Sequence, residues 1–226
     1  MPESLWVELA SALPTLLWVV FASVVFLSLR RPLLNRIVPH IAEIKGPGLE
    51  ITLKDAEQLI EKADEDTTGG ESHSAEPDTV KQRRSAVNRL EHAAVYLRSG
   101  RILWVDDIPS NNSALTRLFT EMDMRVDQAT TTGEALELLY RYSYDLVISD
   151  IERHGDPGAG IDMVREFHRA GIRVPVIYHA AKFDPRLGVD PMVFAGTNSP
   201  SHVLNYVIDI MERRRLGDAM LPFHNR

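Results

Sequence analysis

No cysteine occurs among the 226 residues, which excludes disulfides, thiolate metal centres and a cysteine nucleophile. Positive charge is in deficit, with 25 Lys and Arg against 32 Asp and Glu and a net charge of −7. That balance argues against nucleic acid as a partner, because phosphate binding needs a concentrated basic face. G-x-S-x-G, the P-loop and zinc-ligand spacings are also missing. Hydrophobic residues at 44% and charged residues at 25% are ordinary for a globular protein, so a wholly disordered or fibrous chain does not fit. The length suits one domain of common size with a smaller appendage.

Two further absences are local. Leu9 to Leu29 carries no charge at all. As a helix this run spans roughly 30 Å, the thickness of a bilayer core, and Pro14 would kink it without ending it. Residues 1–30 are therefore expected to be a transmembrane anchor. A cleaved leader would start with basic residues, but Glu3 and Glu8 come first, and Arg30, Arg31, Arg36 and Lys45 follow the run. By the positive-inside rule the N-terminus lies outside and the C-terminal bulk is cytoplasmic. Asp64 to Asp78 is rich in acid, Gly, Ser and Thr and lacks Val, Ile, Leu and aromatics. It buries too little to repay ordering, so residues 64–78 are expected to be a flexible acidic linker.

Residues 31–63 read as a juxtamembrane hairpin and helix, with short alternating strands on either side of Gly46-Pro47-Gly48 and the helix beginning near Lys54. Residues 79–99 read as a connecting amphipathic helix, with Gly100 as its stop. Val80, Val87, Leu90, Ala94 and Leu97 follow an a/d spacing. A short coiled coil and a helix packed on the next domain both satisfy it.

From residue 100 to 216 the periods alternate. Strands are expected at Ile102–Val105, Arg125–Ala129, Leu146–Ser149, Val174–Tyr178 and Met192–Ala195. Helices are expected at Ser113–Met122, from Thr131 (with Glu134 as a capping pair) to Tyr142, at Ile161–Ala170 and at Ser199–Arg215. Such alternation means an α/β, doubly wound parallel sheet of five strands with helices on both faces, and residues 217–226 as a tail. Sites in these sheets lie at the carboxyl ends of the strands, where Asp106, Asp107 and Asp150 stand.

Ile102-Leu103-Trp104-Val105-Asp106-Asp107, Asp145-Leu146-Val147-Ile148-Ser149-Asp150 and Arg173-Val174-Pro175-Val176-Ile177-Tyr178 together resemble the receiver domain of two-component response regulators, a flavodoxin-like fold. The resemblance implies that Asp150 is a phosphoacceptor for a histidine kinase, and that Asp106, Asp107 and Asp150 hold Mg²⁺. The residue types suit that chemistry. A carboxylate attacks a phosphoryl group poorly unless a cation offsets the incoming charge, and Mg²⁺ prefers oxygen ligands.

The chain also departs from the family. The receiver's Ser or Thr after the fourth strand corresponds to Ala180, beside which His179 is a candidate phosphate-side donor. The Lys expected at the end of the fifth strand is missing from Phe194-Ala195-Gly196-Thr197-Asn198-Ser199-Pro200, and Lys182 sits in another loop. The fourth helix, over Ala181 to Pro191, is eroded by Pro185, Gly188 and Pro191. Asp150-Ile151-Glu152 lacks the second Asp of a haloacid-dehalogenase-like phosphatase, which disfavours an enzyme. Two readings follow. One is a membrane-tethered receiver-like assembly module with weak or lost phosphotransfer, self-associating or binding another protein. The other is a genuine receiver phosphorylated on Asp150.

Overall fold

Alternate residues of each strand face opposite layers, and this alternation sets the architecture. The computed structural model describes residues 51–68, 77–181, 183 and 193–220. Strands β1 (Arg101–Val105), β2 (Arg125–Ala129), β3 (Leu146–Ser149), β4 (Val176–His179) and β5 (Val193–Thr197) form one parallel sheet in the order β2-β1-β3-β4-β5. Ile102, Trp104, Leu146, Ile148 and Ile177 point into one core, and Leu103, Val105, Val147, Val176 and Tyr178 into the other. Every side chain of β3 and β4 is buried, as parallel strands covered on both faces require.

The second of those cores is closed by helices α4 (Thr132–Arg141) and α5 (Ala159–Arg169). The first takes α1 (Leu53–Thr68), α2 (Val80–Leu97), α3 (Ser113–Glu121) and α6 (Pro200–Met220). In α1, Ala56, Ile60 and Ala63 fall on one stripe and are buried. Thr79 caps α2 with a reciprocal pair: Gln82 N donates to Thr79 Oγ1 at 3.2 Å, and Thr79 N to Gln82 Oε1 at 2.8 Å. Leu90 and Leu97 of α2 are fully buried among residues of α6 such as Val207 and Met211. Arg89 of α2 also ion-pairs with Asp209 of α6, and with Glu212 at 3.3 Å.

These contacts correct several expectations. The stripe of α2 is used within the chain, against α1 and α6, which decides for the packed helix over the coiled coil, and Val80 is left exposed. The left-handed residue after α2 is Ser99, at φ 58, rather than Gly100. The linker expected over 64–78 is structured at both described ends. Residues 64–68 continue α1, and the buried Asp64 carboxylate accepts Asp78 N at 3.0 Å. Burial raises the proton affinity of Asp64. β4 begins at Val176 rather than Val174, β5 extends to Thr197, and α6 continues to Met220, into the expected tail. The anchor at 9–29, the turn of the hairpin at 46–48 and nearly all of the eroded fourth helix lie outside the described residues. Among those described, no helix is long and apolar enough to cross a membrane.

Candidate functional site

The carboxyl ends of β1 and β3 are adjacent strand ends, so the three aspartates that follow them meet. Asp106 N donates to Ala129 O and Asp150 N to Val105 O, at 2.9 and 3.1 Å. One carboxylate oxygen from each of Asp106, Asp107 and Asp150 lies within 4.8 Å of the others.

Each carboxylate is oriented by its neighbours. Asp106 Oδ1 accepts Ile108 N at 2.7 Å, and its Oδ2 accepts Asn112 Nδ2 at 2.6 Å. Asn112 reaches it because Pro109–Asn112 forms a short 3₁₀ turn before α3. Asp107 Oδ2 accepts the backbone N–H of His154 at 2.7 Å, a residue held at φ 51. His154 Nε2 in turn donates to Thr130 O at 3.2 Å. Asp150 Oδ1 accepts Ile151 N at 2.6 Å.

Burial dominates the electrostatics. It raises the proton affinity of Asp106 despite the hydrogen bonds from Ile108 and Asn112, and Asp107 adds to the rise. Asp150 is pushed up to about 6 by burial first and then by the charge of Asp106, with a smaller push from Asp107. Three carboxylates this close repel unless protonated or bridged by a cation.

Arg153, unmarked in the sequence, is bonded to the end of β3 that carries Asp150 and is 3% exposed. Its Nη1 donates to Ser149 Oγ at 2.6 Å and Asp150 O at 3.2 Å; its Nη2 donates to Thr132 Oγ1 at 3.1 Å and Ala159 O at 3.0 Å. Desolvation lowers its proton affinity, while Asp150, Asp106 and Asp107 act in the opposite direction. No local pattern marks this residue. An Arg in a polar loop reads as solvated until its long-range partners are known.

Asp106, Asp107 and Asp150 are thus brought together, and His179 is not part of their contacts. Being one residue on from Tyr178, its side chain lies on the Ile177 face of β4. There it is buried, with Nδ1 3.4 Å from Thr197 O and its ring edge-on to Trp104. Burial pulls its pKa down to about 4. The expected role as a phosphate-side donor is corrected accordingly: this is a core histidine. Ala180 is buried and supplies no hydroxyl. In β5, a Cβ on Gly196 would come within 2.1 Å of the Phe183 ring. A basic side chain at Gly196 would have to displace that ring.

Residues 102–192 match the family model of the response regulator receiver domain. Among solved structures, the chain is similar to the response regulator TrrA of Thermotoga maritima in complex with Mg²⁺-BeF, at 25% identity over 49% of this chain and 98% of that one, with a TM-score of 0.42. It is similar also to the non-phosphorylated HemR receiver domain of Leptospira biflexa, at 22% identity over 50% and 94%, TM-score 0.43. A two-component response regulator of Clostridium difficile gives 19% identity over 51% and 98%, TM-score 0.44. No curated protein matches the chain. The match takes in β1 from Ile102 through β4 and the three aspartates that the fold gathers, stopping just before β5, and supports a response-regulator receiver domain over residues 102–192.

Proposed function

We propose that this chain is a membrane-tethered, receiver-type signalling module that acts through protein contacts, with Mg²⁺ held by Asp106, Asp107 and Asp150 and phosphotransfer to Asp150 weak. The observation that carries this reading is an asymmetry. Three carboxylates converge on one another, whereas Ala180 and Gly196 supply neither hydroxyl nor cation at the ends of the last two strands.

The donor set fits Mg²⁺: it offers only hard oxygen ligands, and their mutual repulsion favours a cation. Bound there, the ion would offset the charge of an incoming phosphoryl group. The chain's own part is to hold and ionise Asp150. Above pH 6 its carboxylate is charged, and one oxygen can form a bond to phosphorus while the bond to the donor breaks and its electron pair leaves with the donor. Nothing at Ala180 or Gly196 then bonds the transferred group, which is why transfer is weak. The uncharged run Leu9–Leu29 supplies the tether, placing the domain in the cytoplasm. Partners are a second copy or another protein.

A second reading, a genuine receiver phosphorylated by a histidine kinase, is favoured by the convergence of all three aspartates. Incubating the full-length chain in detergent with a small phosphodonor and Mg²⁺, then measuring intact mass, separates the two. Slow, partial gain of one phosphoryl group, lost in Asp150→Asn, supports the proposal. Fast, complete gain supports the second reading. If Mg²⁺ shifts no amide signals near the three aspartates and no mass is gained, the pocket assignment fails. Release of the protein from membranes by carbonate would overturn the tether.

A further inference from the structure

The loops that lead into the strands lie at the end of the sheet opposite the aspartates, because all five strands are parallel. Segments 98–101, 121–125, 141–145 and 169–175, with 212–216 at the far end of α6, carry nine Arg and four Asp or Glu. Segments 106–112, 130–134 and 150–158, at the aspartate end, carry six Asp or Glu and one Arg, the buried Arg153. The net charge of −7 thus conceals a separation along the strands, and one end of the sheet is basic. Contacts hold its arginines together. Arg215 Nη2 donates to Arg98 O at 2.6 Å, Arg214 Nη1 to Tyr144 O at 3.1 Å, and Arg101 lies 4.0 Å over the Tyr142 ring. Arg101 and Arg125 line one cavity of about 670 Å³.

Part of this charge is neutralised within the protein: Asp127 pairs with Arg101 at 2.6 Å and Asp145 with Arg214 at 3.2 Å. Arg125 and Arg173 are exposed and meet no carboxylate among the described residues. We propose that this end of the sheet is a docking surface for an anionic lipid bilayer. Guanidinium groups bond phosphate oxygens in a fixed fork, and each basic side chain at an anionic bilayer strengthens binding about fivefold. Beside the arginines stand Tyr142 and Leu216, 46% and 52% exposed. A ring with a polar tip and an aliphatic side chain both suit the headgroup layer. Nucleic acid fits less well. The arginines come from separate loops and one helix end, with no helix face or two-stranded ribbon presented to a groove. Docked in this way, the domain holds Asp106, Asp107 and Asp150 on the side away from the lipid. The surface adds to the proposed tether and does not depend on it, since the tether concerns residues 9–29 alone.

Hydrogen exchange of the full-length chain in lipid nanodiscs tests this, comparing phosphatidylcholine alone with discs holding about 30% phosphatidylserine. On the anionic discs the amides of segments 99–101, 123–125 and 172–173 should exchange at least about fivefold more slowly. Salt at about 0.5 M should remove the difference by screening. The double variant Arg125→Glu, Arg173→Glu should remove it too, while its β3 amides stay as slow as in wild type. Should β3 lose its protection in that variant, the salt arm decides. Equal exchange on both discs, or protection that survives salt or charge reversal in the folded variant, overturns the proposal. Protection of the same segments by duplex DNA on the neutral discs makes nucleic acid the occupant and overturns the lipid. If carbonate releases the chain from membranes, the tether fails while the surface is still tested. The released chain should then sediment with phosphatidylserine-containing vesicles at least about tenfold more tightly than with neutral ones. Equal binding to the two would overturn the proposal.

Discussion

Asp78 and Ser201 are 123 positions apart in the chain, yet the Asp78 carboxylate accepts the Ser201 backbone N–H at 2.8 Å. Its other oxygen accepts Ser199 Oγ at 2.5 Å. A residue from the acidic segment therefore caps the first turn of α6 from outside that helix. Its charge sits where the orphan N–H groups and the helix dipole favour an anion. Asp78→Ala should destabilise the chain by about 1–3 kcal/mol, because it leaves buried donors of the α6 start unpaired. Urea unfolding at neutral pH measures this, and a loss under a few tenths of a kcal/mol would contradict the capping role.

Asp150 gives a pH dependence of definite sign. Its folded-state pKa of about 6 exceeds the ordinary 3.8, so the folded chain binds the proton more tightly than the unfolded one. The stability this confers is fully present below about pH 4 and is lost as pH rises through about 6. Asp150→Asn cannot lose it. In metal-free buffer at pH 8 that variant should exceed wild type by about 2 kcal/mol, with the difference closing below about pH 4. Equal stabilities at pH 8 would contradict the buried, crowded setting of the carboxylate.

Gly160 opens α5 against the backbone that follows β3. A Cβ there would lie 2.5 Å from Asp150 O and 2.8 Å from Ile151 Cα. Both are main-chain atoms and cannot swing away. Gly160→Ala should therefore cost about 1–3 kcal/mol and weaken Mg²⁺ binding by displacing Asp150. Gly158→Ala, whose added carbon would meet nothing nearer than 3.6 Å, is the control. Isothermal titration with Mg²⁺ compares the two.

Leu90 reports on the helices that precede the sheet. It is fully buried in the core shared with α6, so Leu90→Ala should cost about 2–5 kcal/mol. A thermal scan in which this variant melts with wild type would show that α2 adds nothing to the receiver core.

Strands and helices were legible wherever one face of an element decided its period. Leu146-Val147-Ile148-Ser149, a short apolar run in a regular alternation, reads as a strand covered on both sides and is one, and Thr131 with Glu134 marks a helix start that the structure keeps, Glu134 N donating to Thr131 Oγ1 at 3.2 Å. The three aspartates were legible because strand ends in a parallel sheet converge. What escaped the sequence depends on distant partners. Asp64 and Asp78 read as solvated charge, and their burial follows from each other and from Ser199 and Ser201. Arg153 is buried only because Ser149, Thr132 and Ala159 come together around it. His179 escaped for the same reason, since its burial depends on Trp104 and Thr197 from neighbouring strands.

The pairing of α2 with α6 also sets an order of events at the ribosome. Arg89 and its partner Asp209 are 120 positions apart, and every strand of the sheet is encoded between them. At about 5–20 residues per second, roughly 6–24 s separate the emergence of one from the other. Throughout that interval Leu90 and Leu97 have no α6 to pack on. The helix translated before the sheet is thus among the last to reach its native packing. In the meantime only α1 is there to cover its apolar stripe, and the part that α6 covers is open to chaperones and to neighbouring nascent chains.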